Sequence, residues 1–431
     1  MMKLILISQA LLMFFLGLFD LNKIEESSEM TICQSSSMSK ISQFSLVKGN
    51  QYGNHYNSPI QIDSTNTYSM PLLAKTSSGE IMLSWTEKDL TGMVSFCVAF
   101  SKDNGKTFSD KKTIYSGTGI GNSRMMRAKV LSKKDGSLVA IFSNRGEPAP
   151  SASQSGRGGG RSSNIVYCIS KDGGKSWTSP LSVDSDPKQG IVRGFFDAIV
   201  MSNDEIAITY LKDVANSTKH EERDLRLVTS KNGAFQPERL IDAVVCDCCP
   251  INLLIDANGA LNVIYRDNND DTRDMAKMIS TDNAATFSKP EIVHNDGWKI
   301  MGCPHSGAVS SIAGKSALVA YYSGAEKEAG VRLVTREGKK LLVLNDASAK
   351  NPALIEMPKS NIMVWEQNEG DVSKIAFRKI NNNLVSETSW IDGSNNATNP
   401  TALSIGNQIL LAYEVKQANK RNTLKISTEN L

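Results

Sequence analysis

A short apolar segment that ends in an aromatic residue recurs seven times along this chain of 431 residues. Runs of this length that are rich in β-branched and aromatic side chains, and bounded by turn residues, are typical of strands rather than helices. The seven copies end 44 to 68 residues apart and are IMLSW (81–85), LVAIF (138–142), IAITY (206–210), LNVIY (261–265), ALVAY (317–321), NIMVW (361–365) and ILLAY (409–413).

The sequence around each copy predicts a unit of several strands. Most copies follow another apolar stretch and a tight turn, and they precede a loop of variable length, a third strand and usually a fourth. Repeated antiparallel units of four strands predict an all-β fold, a β-propeller. The seven copies predict seven blades, with six as the alternative if one copy is not a true blade.

The last unit raises the question of how the ring closes. The chain ends on TLKISTENL, which supplies a third strand, and an open sheet edge would expose unpaired backbone groups. Either FSLVKG (44–49) or IQIDS (60–64) can supply the missing strand. We therefore expect a propeller over residues 46–431 whose ring is closed by a strand from the N-terminal side.

The first residues have the pattern of an export signal. In residues 1–23 a lysine precedes an apolar run of about sixteen residues, too short for a comfortable membrane span. This pattern predicts a signal peptide or a retained N-terminal anchor, followed by a flexible leader over residues 24–45. The predicted location is therefore periplasmic, cell-envelope or extracellular, with membrane contact only through an uncleaved N-terminal segment.

The overall charge argues against one class of partner. The chain has 48 basic and 45 acidic residues, a net charge of +3. Because a bulk basic field is missing, we expect no nucleic-acid partner.

Three turns share one pattern: SKDNGKTF (101–108), SKDGGKSW (170–177) and STDNAATF (280–287). Asp103, Asp172 and Asp282 are placed to accept hydrogen bonds from the backbone of the turn that follows. Gly105 and Gly174 permit a left-handed backbone. We interpret the three aspartates as structural.

These turns resemble the Asp-box (BNR) repeats of sialidase-like propellers, and with the blade pattern the resemblance covers nearly all of residues 60–431. The resemblance implies a glycan-related function, with a glycan or another small molecule as the ligand. Sialidases hold the substrate carboxylate with three arginines and use a Tyr–Glu nucleophile pair and an aspartate acid/base. Their first blade opens with an aromatic residue and then Arg-Ile-Pro. The matching stretch here is Tyr68-Ser69-Met70-Pro71, so Ser69 replaces the first arginine and no motif assigns catalytic residues.

The predicted topology separates the two faces of the ring. The Asp turns join third to fourth strands, whereas the links between blades and the second-to-third loops lie on the opposite face, where propeller ligands usually bind. Arginine and aspartate on those links are candidates to clamp a carboxylate or hydroxyls, the alternative being a solvated, salt-bridged loop. The candidate substrate-binding residues are Arg193, Asp197, Arg266, Asp267, Arg273 and Asp274, with Arg124 and Arg127 next.

Two motifs concentrate the rare residues: VVCDCCPINLL (244–254) and MGCPHSGAV (301–309) contain four of seven cysteines and one of four histidines. Both begin inner strands of consecutive units, so we expect them to be neighbours at the mouth of the channel. Three interpretations remain open: disulfides, a zinc or copper centre, and a reactive thiol with His305 as its base. The metal interpretation uses Cys246, Cys248, Cys249, Cys303 and His305.

The sequence thus predicts an exported sialidase-like propeller that acts on or binds glycans. If it is an enzyme, we expect a divergent exo-glycosidase whose site lies opposite the Asp turns. The alternatives are a non-catalytic binding propeller and a propeller that carries a Cys/His metal or redox site.

Overall fold

The computed structural model describes residues 59–146, 163–184, 191–214 and 223–431. The predicted signal or anchor segment (1–23), the leader (24–45) and FSLVKG lie outside the described residues. Within the described ranges, no helix is both long enough and apolar enough to cross a membrane.

Seven antiparallel sheets follow one another along the chain and form the ring of a β-propeller. The predicted all-β fold and its seven blades are confirmed. The first blade contains β1 (Thr67–Lys75), β2 (Ile81–Lys88), β3 (Val94–Ser101) and β4 (Lys112–Gly117). The second contains β5 (Lys129–Ser132), β6 (Leu138–Arg145), β7 (Ser163–Ser170) and β8 (Leu181–Ser182). The third contains β9 (Arg193–Val200), β10 (Ile206–Asp213), β11 (Arg223–Lys231), β12 (Ala234–Phe235) and β13 (Arg239–Val245). A 3₁₀ turn, η1 (Arg124–Met126), precedes β5.

The next two blades contain β14 (Asn252–Ile255), β15 (Leu261–Arg266), β16 (Met275–Ser280) and β17 (Glu291–Ile292); and β18 (Val309–Ala313), β19 (Ser316–Ser323), β20 (Gly330–Thr335) and β21 (Lys340–Leu344). The last two contain β22 (Lys350–Glu356), β23 (Asn361–Glu369), β24 (Val372–Asn381), β25 (Leu384–Val385) and β26 (Ser389–Trp390); and β27 (Ala397–Ile405), β28 (Gln408–Lys416) and β29 (Asn422–Glu429). The first strand of each blade lines the channel.

The hydrophobic core is divided among the contacts between blades. In the described part of the chain there are seven clusters, each built mainly from two neighbouring blades. The aromatic residues that end the repeated segments are all buried within them: Trp85, Phe142, Tyr210, Tyr265, Tyr321, Trp365 and Tyr413. The repeat therefore encodes the packing of one blade on the next, because a single blade cannot bury its own faces.

The junction of the last and first blades tests one of the two stretches predicted to close the ring, because FSLVKG lies outside the described residues. Ile60 and Ile62 of IQIDS pack against Leu410 and Leu424 of the seventh blade, yet this stretch forms no strand. Within the described residues the seventh sheet therefore has three strands, β27 to β29. The two blades meet through side chains of the shared cluster.

The inner strands carry bulges where they enter the channel. The registers of β1, β22 and β27 shift near residues with a positive φ, which are Met70 (56°), Asn351 (56°) and Asn399 (51°). Each of these residues is followed by proline. Bulges redirect side chains and are frequent beside functional sites.

Candidate functional site

A cavity of about 270 Å³ lies in the channel, and residues from all seven blades line it. The starts of the inner strands and the links before them form its wall, so it lies on the face that carries the blade-to-blade links. One lining residue from each blade, in order, is Leu73, Lys129, Asp197, Asn252, Ser310, Leu354 and Thr401.

Two arginines of the second blade line this cavity. Arg124 lies on η1 and Arg127 directly after it, and the Nη2 of Arg124 donates a 3.2 Å hydrogen bond to the carbonyl of Pro352 in the sixth blade. Nη1 of Arg124, and Nε and Nη2 of Arg127, are buried and have no hydrogen-bond partner among the described residues. Burial, with a smaller contribution from Arg127, lowers the pKa of Arg124 to about 9, so Arg124 remains a cation at neutral pH.

The carboxylates around the arginines already accept other hydrogen bonds. Glu414 accepts from the backbone N–H of Met70 at 2.8 Å, and Glu366 accepts from that of Asn399 at 2.7 Å. Burial raises the pKa of Glu414 above its usual value. Both carboxylates act on Arg124 through their charge. The arginines are therefore partly compensated electrostatically, although three of their donors make no hydrogen bond to the described part of the chain.

Of the six predicted substrate-binding residues, all of them in the described ranges, Asp197 alone lines the cavity. Its Oδ1 pairs with Lys129, and its Oδ2 accepts a 2.8 Å hydrogen bond from the backbone N–H of Leu253. Arg193 lies instead in a buried ion pair, its Nε 2.6 Å from Asp184, which Lys212 also contacts at 3.1 Å. The structure therefore does not bring Arg193 into the cavity.

Arg266 and its loop form a tightly bonded unit next to the channel. Nη1 of Arg266 donates to the carbonyl of Arg273 at 2.6 Å, and Nη2 donates to that of Tyr322 at 2.8 Å. The guanidinium also lies 4.9 Å from the ring centroid of Trp298, whose backbone N–H donates to Asp274 at 3.1 Å.

The remaining members of the set complete this unit. Arg273 is fully buried, and its backbone N–H donates to the carbonyl of Trp298 at 2.8 Å. Asp267 accepts from the side chain of Asn269 at 2.8 Å. Arg266, Asp267, Arg273 and Asp274 thus lie together in one bonded unit, but none of the four lines the cavity, and their role in substrate binding stays a prediction.

The two cysteine motifs meet as the sequence predicted. The Sγ atoms of Cys246, Cys248 and Cys249 are 3.6 to 4.0 Å apart and buried. Cys248 also forms a second set with the exposed Cys303 and His305, whose ligand atoms lie within 4.8 Å of one another. The cysteines of the described residues are free thiols, so the sulfurs are in contact without a disulfide.

The buried thiols differ in acidity. Burial alone would raise the pKa of Cys249, but hydrogen bonds from the thiols of Cys246 and Cys248 and the charge of Arg266 hold it well below its usual value. The pKa of Cys248 is raised, because its thiol donates hydrogen bonds to the sulfurs of Cys246 and Cys249 and because it is buried. The first thiolate of this cluster is therefore expected on Cys249.

The three Asp turns lie away from this site, between third and fourth strands. Asp103 accepts hydrogen bonds from Ser101 Oγ at 2.8 Å and from the backbone N–H of Thr107 at 2.9 Å. The hydrogen bonds from Thr107, and then that from Ser101, lower the pKa of Asp103 to about 2. Asp172 and Asp282 make the same contacts in their turns. All three carboxylates are engaged with their own turn.

Sequence reasoning overlooked several residues around the cavity. Lys129 follows the arginines and begins β5, whereas Glu366 and Glu414 each follow a repeat aromatic. An alignment of the seven copies on their aromatic residues would have shown this signal, because an acid occupies the same position in the last two blades.

Comparison with known proteins shows a likeness of fold. A protein of unknown function from Dyadobacter fermentans matches with a TM-score of 0.52 and 14% identity, over 86% of this chain and 96% of that one. A Hadza microbial sialidase (TM-score 0.48, 11% identity) and the Trypanosoma rangeli sialidase (0.46, 13%) each match 84% of this chain, which spans 65% and 53% of theirs. No protein-family model and no curated protein matches the sequence.

Proposed function

We propose that the protein binds an acidic sugar in the channel cavity, with Arg124 and Arg127 holding its acidic group. The observation that carries this proposal is the set of three buried guanidinium nitrogens without a hydrogen-bond partner in the described structure. Leaving a buried donor unsatisfied costs about 1–3 kcal/mol. A bound carboxylate or sulfate group offsets this cost, because its oxygens accept hydrogen bonds from the planar fork of N–H donors that arginine presents.

The rest of the cavity suits the body of a sugar. Its wall alternates apolar side chains with the polar Asn252, Ser310 and Thr401 from three different blades. Ligand sites typically combine such apolar surface with a few polar groups that fix orientation. A volume of about 270 Å³ suits a small ligand such as one sugar residue.

The arrangement favours binding over hydrolysis. Asp197 is the acidic residue among the cavity-lining residues, and its two oxygens already contact Lys129 and the backbone N–H groups of Ala198 and Leu253. Ser69 stands where sialidases have their first arginine. Both oxygens of this carboxylate are thus already engaged, so the proposal is a binding propeller that recognises an anion.

Titration calorimetry with single acidic sugars tests the proposal. N-acetylneuraminic acid, glucuronic acid and galacturonic acid are compared with glucose and galactose, the neutral counterparts of the two uronic acids. We expect one acidic sugar to bind and glucose not to bind. Arg124→Met and Arg127→Met are expected to lose at least tenfold in affinity, whereas Arg378→Met, outside the cavity, keeps it. Absence of binding by all three acids, or equal binding by the Arg127 variant, would overturn the proposal.

A second assay separates binding from catalysis. Aryl glycosides of the same acidic sugars release a coloured or fluorescent alcohol when they are hydrolysed. We expect no release above the uncatalysed rate. Release that disappears in Arg127→Met would replace the binding proposal with the glycosidase hypothesis.

We further propose that the protein is exported. The support is the lysine and the apolar run of about sixteen residues near the N-terminus. Fractionation of cells that express the full chain with a C-terminal tag tests this, with N-terminal sequencing of the product. Recovery in the cytosol with residue 1 intact would contradict export.

A further inference from the structure

Three cysteine sulfurs lie close together in the link between the third and fourth blades. Cys246, Cys248 and Cys249 follow β13 and precede β14. Their Sγ atoms are separated by 3.6, 3.9 and 4.0 Å, and each residue is at most 3% exposed. The three sulfurs thus form a nearly equilateral triangle inside the protein.

The size of this triangle matches that of a metal–thiolate site. Metal–sulfur bonds of about 2.3 Å place thiolates about 3.8 Å apart in a tetrahedral site and about 4.0 Å apart in a trigonal one. A disulfide would instead require about 2.05 Å between two of the sulfurs. Two of the separations fall in the first range and the third, 3.6 Å between Cys246 and Cys249, is about 0.2 Å shorter, so an ion at the centre needs little movement of the chain.

We infer that Cys246, Cys248 and Cys249 form a binding site for one Cu(I) ion. Thiolates are soft ligands that select Cu(I), zinc or iron–sulfur clusters. Structural zinc is almost always held by four ligands, and this triangle supplies three. Cu(I) accepts a three-thiolate set without a further ligand, so it fits the buried trio better. Binding replaces thiol protons with the ion and requires no oxidant.

The surroundings of the triangle support a charged, dry site. The trio belongs to a core cluster with Met126, Phe195 and Tyr265, which excludes water. The backbone N–H of Ser306 donates to Cys249, and Arg266 donates to the carbonyl of the same Ser306 at 3.2 and 3.1 Å. A cation therefore lies beside the thiolates and offsets their negative charge, as the outer partners of metal ligands commonly do.

The exposed motif gives the ion a route to the buried trio. Cys303 and His305 are at the surface and form a ligand set with Cys248, which is also a corner of the triangle. An ion captured by the exposed pair reaches the interior by exchange at the shared sulfur. The two motifs thus act as one site with an outer and an inner part.

The test loads the full-length protein with Cu(I) under anaerobic conditions, in the presence of a competing Cu(I) chelator. Copper is then measured per chain by elemental analysis. We expect one equivalent in the parent and a loss of at least tenfold in affinity for Cys246→Ala and Cys249→Ala. Cys168→Ala is the matched control, since Cys168 is an equally buried thiol in the second blade and is expected to leave binding unchanged. Cys303→Ala is expected to slow loading more than it lowers the final amount.

X-ray absorption of the loaded parent keeps the inference testable if an alanine variant fails to fold. Three sulfurs at about 2.3 Å from copper support the site. Unchanged copper in the Cys249 variant, or one equivalent of zinc with no copper, would overturn it. So would a metal-free parent in which peptide mapping finds a disulfide between two of the three cysteines.

Discussion

Glu414 in the seventh blade accepts a 2.8 Å hydrogen bond from the backbone N–H of Met70 in the first blade, 344 residues earlier. The same carboxylate accepts from the side chains of Asn399 at 3.1 Å and Asn422 at 2.7 Å. Glu366 repeats the arrangement one blade earlier, where it accepts from the backbone N–H of Asn399. A buried acid therefore joins the ends of the ring directly beside the cavity.

Removing this acid is expected to weaken the ring. Glu414→Ala leaves the N–H of Met70 and two asparagine side chains without an acceptor, and each unsatisfied buried donor costs about 1–3 kcal/mol. We expect the free energy of unfolding, measured in urea, to fall by at least about 2 kcal/mol. The exposed Glu387→Ala should change it by less than about 0.5 kcal/mol. Equal stability of the two variants would show that Glu414 does not hold the ring closed.

The fold was predictable from the sequence because one physical requirement recurs seven times. Each blade must bury a large aromatic side chain against its neighbour, from Trp85 to Tyr413, and this requirement leaves a periodic trace. Closure of the ring was harder to predict. Ile60 and Ile62 contribute side-chain packing rather than a strand, and an apolar alternation alone does not distinguish the two.

The site was only partly predictable, for a reason that concerns the links. Topology correctly placed both cysteine motifs together and identified Arg124 and Arg127 on the cavity face. The topology did not show that the guanidinium of Arg266 donates its hydrogen bonds to three backbone carbonyls. The sequence alone does not show whether a loop arginine binds a ligand or the backbone of its own chain, because this depends on where the folded chain places the hydrogen-bond acceptors.

The Asp turns predict a specific dependence of stability on pH. Hydrogen bonds from Thr107 and Ser101 lower the pKa of Asp103 from its usual 3.8 to about 2. A carboxyl with a lowered pKa in the folded protein stabilises it above the usual value, and this contribution is lost as the pH falls toward 2. We expect the parent to melt at a higher temperature than Asp103→Asn at pH 6, and the gap to close between pH 4 and pH 2. Asp110→Asn is the control, since Asp110 is exposed beyond the turn. A gap that stays constant with pH would contradict the hydrogen-bonded role of the Asp103 carboxylate.

Two glycines of the first blade allow the cost of backbone strain to be measured separately from the cost of steric crowding. Gly105 (φ 83°) and Gly79 (φ 88°) have nearly the same conformation, and alanine at such an angle costs about 1–2 kcal/mol at either position. A Cβ at Gly105 would lie 2.5 Å from Leu410 in the seventh blade, whereas one at Gly79 would meet nothing within 4 Å. We expect Gly105→Ala to lower the free energy of unfolding by about 1–3 kcal/mol more than Gly79→Ala. Equal losses would mean that Leu410 moves aside without cost.

The arginines of the cavity are expected to lower stability in exchange for ligand affinity. Arg127 retains some solvent contact as a whole residue, but its Nε and Nη2 are buried without a partner in the described structure, and burial lowers its pKa. Arg127→Met removes both donors and keeps an unbranched apolar side chain in place of the arginine stem. We expect the free energy of unfolding to rise by about 1–3 kcal/mol while affinity for the acidic sugar is lost. Arg378→Met, whose guanidinium contacts Thr388 outside the cavity, should bring no such gain. A destabilised Arg127 variant would indicate that this side chain serves the fold, because groups kept for a ligand are the ones a protein can lose with a gain in stability.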